Sequence, residues 1–315
     1  MLKGLFADSS PLTMLVMLVF TMLVCFLLFM FTGMLLAPFL FGISVDEIAA
    51  GHDADNRLNA MRYMQILYHV SVFIVPAFIA AYLFLGSAKR PNVIGYFELE
   101  RTISIRWFIA TLLLMFAVIP FINLLAAFNE MIVFPESLAR LEQWFKNSEE
   151  SARQSTKLLL IVDNAGGVFF NIFMIAMLPA IGEELIFRGV LHNIFVKRTG
   201  NVHVAIIITG FLFSAMHLQF YGLFPRWLLG VMFGYLLVWS GSIWAPIFAH
   251  FVNNAVIVCI SFLTNKEIIS EEIKTFGANW ADIFVTILAT SVCAGLLWIM
   301  YRKSKIYITE DKNNI

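Results

Sequence analysis

Two adjacent carboxylates, Glu183 and Glu184, and one guanidinium, Arg188, interrupt the apolar run that begins at Leu178-Pro179. At mid-helix in a bilayer each such side chain costs about 2.5–3.5 kcal/mol, so it faces a partner or a wet cavity. Glu184 and Arg188 stand four apart, acid before base, and share one helical face as an ion pair would. Glu183 is turned about 100° away and is left for other work. One carboxylate neutralised by Arg beside one that is not is a way to give the two different roles. The plainer alternative is a charge cluster at a helix end.

Two further apolar segments carry matching polar groups. His217 closes Phe213-Ser214-Ala215-Met216-His217, and His250 lies four residues before Asn254, so these last two share a face. A lone histidine on an apolar helix is more often hydrogen-bonded structure than catalyst, but three helices with complementary polar content offer a set. A carboxylate, two imidazoles and an amide donor are parts for activating water and stabilising an oxyanion in amide hydrolysis.

Composition says where these groups must sit. The 315-residue chain is 60% hydrophobic and 13% charged, with a mean hydropathy of +0.84, which excludes a soluble domain and makes the lipid bilayer its first partner. Lys plus Arg and Asp plus Glu number 21 each, so no field points to nucleic acid. Cys25, Cys259 and Cys293 lie in apolar runs without a CxxC pair and read as small buried hydrophobes.

About 20 apolar residues cross the hydrocarbon layer, and by that measure about eight spans are expected, near 11–41, 64–86, 106–128, 160–187, 203–220, 226–240, 243–264 and 280–301. The sixth is the shortest, and its Gly230 and Gly234 stand at the GxxxG spacing of close helix packing. Trp107, Trp227 and Trp280 open spans, and Trp239 and Trp244 flank a turn, as interfacial aromatics do. The first run is too long and lacks the cleavage site of a removable signal, so it is read as a retained helix.

Lys89, Arg90, Arg101, Arg106, Lys197, Arg198 and the tail residues Arg302, Lys303 and Lys305 favour both termini in the cytoplasm. Arg57, Lys266 and Lys274 are among the basic residues counted against that orientation. From Pro135 a stretch with Leu138, Leu141, Trp144 and Phe145 among charges predicts a short interfacial helix, or a lid. The expected architecture is an all-α, multi-pass membrane protein with its polar site inside the C-terminal bundle. Residues 1–157 supply N-terminal spans and the interfacial helix, 158–301 the core, and 302–315 a basic tail.

The ordered trio of Glu183-Glu184-xxx-Arg188, Phe213-xxx-His217 and His250-xxx-Asn254 resembles the type II CAAX prenyl endopeptidase group, the CPBP or Abi family of intramembrane proteases. That resemblance covers about residues 170–265. It implies a helical membrane protease acting on a membrane-associated peptide or protein. Glu183 would be the base on a water also held by His217, and His250 and Asn254 would form the oxyanion site. Glu184 and Arg188 would support them, and Phe213 would pack alongside.

Metal dependence is a fork. Members are labelled metalloproteases, and Glu183, His217 and His250 are a candidate set for a divalent ion such as zinc. The chain, however, lacks HExxH, and Asn is a poor zinc ligand. His52, His69, His192 and His203 read as interfacial or structural. Competing functions are an ion- or proton-coupled transporter, which would show inverted repeats or broken helices, and an inactive scaffold or immunity protein. The expected home is a bacterial inner membrane.

Overall fold

The computed structural model describes residues 2–42, 54–86, 92–162, 164–264 and 276–312, without the side chains of residues 54–57, 280 and 305–312. His52, Lys89, Arg90, Lys266 and Lys274, and the side chains of Arg57, Trp280 and Lys305, therefore lie outside the described set.

The described residues form helices and no strand. Helix α1 is Pro11–Phe41, started by a Ser10 side chain that accepts from Thr13 N and ended by Gly42 in the left-handed region. Helix α2 spans Leu58–Phe84 and α3 spans Ile105–Glu130. After a 3-10 turn at Glu136–Leu138 comes α4, Ala139–Leu160. It carries charge along its length and is the helix expected at the interface.

Helix α5 spans Ala165–Thr199. Next come α6, Val202–Ala215, α7, Leu223–Ser240, α8, Trp244–Leu263, and α9, Ile283–Lys312. Among the described residues seven helical stretches are long and apolar enough to cross a membrane, and α6 is a shorter apolar one. The chain is a multi-pass integral membrane protein.

The expected fifth span at 203–220 needs correction. Its helix is 14 residues long and stops at Ala215, because the chain turns from Met216 and Leu218 takes a positive φ of 55°. The residues lost from that end join the next element, whose apolar helical stretch runs Phe220–Ser240 rather than 226–240.

Helices α6 and α7 pack antiparallel: Ile206 meets Gly234, Gly210 meets Gly230, and Ser214 Oγ donates to Leu223 O. A Cβ at Gly230 would stand 2.8 Å from Gly210 Cα, so only glycines allow this approach.

The outer surface is apolar, with Leu12, Phe20 and Phe31 of α1 and Phe284, Leu288 and Trp298 of α9 exposed, as a lipid-facing surface requires. Cys259 also lies on that surface rather than in the core, whereas Cys25 and Cys293 are buried. One core cluster joins α1 and α2 to α5 through residues such as Leu18, Phe73 and Ile186. A second joins α3, α7, α8 and α9 through Leu114, Phe233, Ala249 and Cys293.

Candidate active site

Helix α5 is not a regular α-helix. Pi-helical turns at Ile172–Met177 and Leu185–Leu191 bracket the α-helical Leu178–Glu184, and irregularities of this type re-aim side chains at functional positions. Glu183, Glu184 and Arg188 are 6%, 0% and 1% exposed, so all three charges are in the interior.

Glu184 is the paired carboxylate. Its Oε1 accepts from Arg188 Nη1 at 2.8 Å and lies 2.9 Å from His250 Nδ1 on α8. Arg188 Nη2 donates to Gly230 O at 2.8 Å, a carbonyl brought near by the glycine contact of α6 with α7. The guanidinium also lies over Phe213, 4.8 Å from the ring centroid. Phe213 in turn meets the rings of His217 at 5.4 Å and His250 at 5.5 Å edge-on, and His250 stacks on Phe233.

Glu183 has a different environment. Three imidazoles, those of His69, His217 and His250, act electrostatically on its carboxylate, and the nearest described contact is His69 Nε2, 3.7 Å from Oε1. Its Oε2 is buried without a hydrogen-bond partner, a costly state that a water or a substrate group would relieve.

The three rings share one arrangement. Nδ1 lies 2.9 Å from Gln65 O in His69, 2.9 Å from Phe213 O in His217, and 2.9 Å from Glu184 Oε1 in His250. Each partner atom is an acceptor, so each Nδ1 carries the hydrogen of the neutral ring and Nε2 is the working nitrogen.

Asn254 is held by α5. Pro179 has no N–H to offer the carbonyl four residues earlier, Ile175 O, and Asn254 Nδ2 approaches that oxygen at 3.4 Å. Asn253 Nδ2 donates to Asn254 Oδ1 at 3.1 Å, which leaves the Asn254 NH2 group as its outward donor.

Glu183, His217 and His250 thus interact with one another, Glu184 and Arg188 pair beneath His250, and Phe213 packs between the histidines. His69, read as structural from the sequence, stands against Glu183. The only signals for it were a polar ring well inside α2 and Gln65 one turn before it. His203 bonds Tyr235 at 3.1 Å, at the start of α6. No three His, Cys, Asp or Glu side chains among the described residues are placed to hold a metal ion, so Glu183, His217 and His250 do not form a ligand set here.

Residues 165–256 match the family model "Type II CAAX prenyl endopeptidase Rce1-like". This segment is Rce1-like. It runs from the start of α5 into α8 and contains all three motifs.

The chain is 29% identical to "Sporulation-killing factor biosynthesis protein SkfC" of Bacillus subtilis (strain 168) over 131 residues, 39% of this chain and 25% of SkfC. It is 29% identical over 106 residues to "Putative membrane peptidase YdiL" of the same organism, covering 34% of this chain and 43% of YdiL. A third relative there, "Uncharacterized protein YpbD", is 29% identical over 96 residues, 28% of this chain and 44% of YpbD. The chain therefore spans less than half the length of each of these relatives. No solved structure matches it.

Proposed function

We propose that this protein is an intramembrane endopeptidase that hydrolyses a peptide bond of a membrane-associated protein or peptide. The observation that carries the reading is the meeting of Glu183 on α5, His217 in the turn after α6 and His250 on α8 at a buried carboxylate whose Oε2 lacks a partner. The Rce1-like match and the peptidase named among the relatives support it.

Glu183 Oε2 takes a proton from a water that His217 Nε2 also holds, and the oxygen of that water adds to the scissile carbonyl carbon. The carbonyl oxygen becomes an oxyanion, met by Asn254 Nδ2 and by Nε2 of His250. Because His250 Nδ1–H is committed to Glu184, Nε2 can donate only when the ring carries a second proton. Glu184 Oε1 orients the ring by accepting from Nδ1, and Arg188, itself anchored on Gly230 O, holds that carboxylate in place. Collapse of the tetrahedral adduct breaks the C–N bond, and the leaving amine takes the proton from Glu183. No step is routed through a metal, since the donors do not assemble a ligand set.

The proposed setting is a bacterial inner membrane with both termini in the cytoplasm. The test compares membrane proteomes of wild type with Glu183→Ala, His217→Ala and His250→Ala strains at matched protein levels. A precursor that accumulates uncleaved in all three is the expected result. Unchanged processing in every variant overturns the proposal, and loss of proton-coupled flux in Glu183→Gln with processing intact would replace it with transport.

A further inference from the structure

Helix α2 lies outside the Rce1-like segment, and its His69 belongs to none of the three motifs. Even so, the ring is 4% exposed, inside the bundle and against Glu183.

Several features fix that placement. Gly182, next to Glu183, lets α5 close onto α2: a Cβ there would stand 2.9 Å from Phe73 Cβ and 3.7 Å from His69 O. The pi-helical turn Val70–Ile74 starts immediately after His69. The ring is stacked on Phe73 at 5.8 Å and 29° and meets Tyr68 edge-on at 5.3 Å. A phenylalanine would fill that space equally well and would need no polar partner. What the imidazole adds is Nε2, and Nε2 faces Glu183.

We infer that His69 is a positioning residue for Glu183: its Nε2 holds Oε1 and thereby presents Oε2, the buried oxygen without a partner, to the water. This rests on the reading of Glu183 as the base. At 3.7 Å the two atoms are beyond the range of a direct hydrogen bond, and the Nδ1 hydrogen is already committed to Gln65 O. The link is therefore a second proton on Nε2 or a water held between the two atoms, and in both arrangements Oε1 accepts. A carboxylate fixed at one oxygen keeps the other in a constant direction, which is what a base needs for a near-attack geometry.

The test uses His69→Phe, which keeps a flat ring on Phe73, and His69→Gln, which restores a polar group that reaches Glu183. The first readout is independent of any substrate. In phosphatidylcholine/phosphatidylglycerol vesicles the infrared carboxyl band of Glu183, isolated by subtracting the Glu183→Gln spectrum, should shift in His69→Phe and return toward wild type in His69→Gln.

The second readout is turnover of a quenched-fluorescent peptide spanning the junction mapped from the precursor that accumulates in Glu183→Ala membranes. His69→Phe should lower kcat about tenfold or more with KM unchanged, and His69→Gln should recover part of it. A Glu183 band in His69→Phe identical to wild type, or equal kcat in the two proteins, overturns the inference. So does a kcat loss that His69→Gln does not relieve while the band stays in place, because that is a packing defect. If wild type and Glu183→Gln process alike, the peptidase reading fails, and the infrared band still decides whether His69 holds Glu183.

Discussion

Two glutamates one residue apart meet different neighbours, and the difference follows from helix geometry. Glu184 turns toward Arg188 and His250, which hydrogen-bond its Oε1; Glu183 turns toward His69 Nε2, within the electrostatic reach of His217 and His250, and Oε2 of each glutamate is without a hydrogen-bond partner. Because Glu184 and Arg188 are both buried, removing one leaves an uncompensated charge. Arg188→Ala should lower stability by about 3–5 kcal/mol, seen as a lower melting temperature in detergent and a reduced folded yield.

Asn254→Ala should instead fold normally and lose about 10²–10³ in kcat at unchanged KM, the signature of a lost oxyanion donor; an equal loss in binding would place Asn254 on the substrate instead. Treatment with 1,10-phenanthroline should leave cleavage unchanged, as measured on the same peptide. At this scale the motifs were legible, since charged and amide groups in apolar runs announce themselves. His69 was not, because a single histidine has the same appearance whether it faces a backbone carbonyl or a carboxylate on another helix, and only the packing at Gly182 decides.

At the scale of elements, most span boundaries were read to within a few residues, but α2 starts before the expected residue 64, α5 continues to Thr199 past the expected end at 187, and the boundary that depends on a turn was missed. The run from 203 to 220 is mostly apolar, and hydropathy cannot see that the backbone reverses at Met216. That reversal is built from side chains: Arg226 Nη1 and Nη2 donate to Gln219 Oε1 and Gln219 O, and Gly222 leaves room for the guanidinium. Helix α4 lies against the same turn, with Phe145 and Phe134 packed on Phe220.

Glu149 of α4 faces Arg226, Tyr221 and Glu130, and burial pushes its carboxyl above the usual range despite the nearby guanidinium. A carboxyl whose folded pKa is raised contributes stability that is fully present below the unfolded value and is lost as pH rises through the folded one. The docking of α4 should therefore loosen as pH rises past the ordinary carboxylate range. Hydrogen exchange of α4 amides, corrected for intrinsic rates, should show protection falling with pH in wild type and flat in Glu149→Gln. A flat wild-type profile would remove Glu149 from the docking.

For the whole molecule, the two core clusters meet at α8. Ile243 and Ile247 of the α8 region belong to the cluster shared with α1, α2 and α5, while Ala245, Ala249 and Val252 belong to the cluster shared with α3, α7 and α9. His250 stands on the seam between those faces, so the site forms only when both halves are assembled. Composition alone identified a membrane bundle, but not this division, because lipid-facing and core-facing residues are equally apolar.

The same geometry bears on the parity of crossings. Helix α6 has 14 residues, about 21 Å at 1.5 Å per residue, short of the ~30 Å hydrocarbon layer. It nevertheless runs antiparallel to α7, which is long enough to cross, so the chain must travel out along one and back along the other. If α6 completes its passage, the seven long helices and this short one among the described residues make an even number of crossings, and Lys3 and Lys303 should lie on one side of the membrane. Single cysteines at these two exposed positions, in a background with Cys25, Cys259 and Cys293 replaced by serine, should react alike with a membrane-impermeant maleimide in sealed vesicles of one orientation. Opposite labelling would mean an odd number of crossings, with α7 completing a passage that the 14-residue α6 does not.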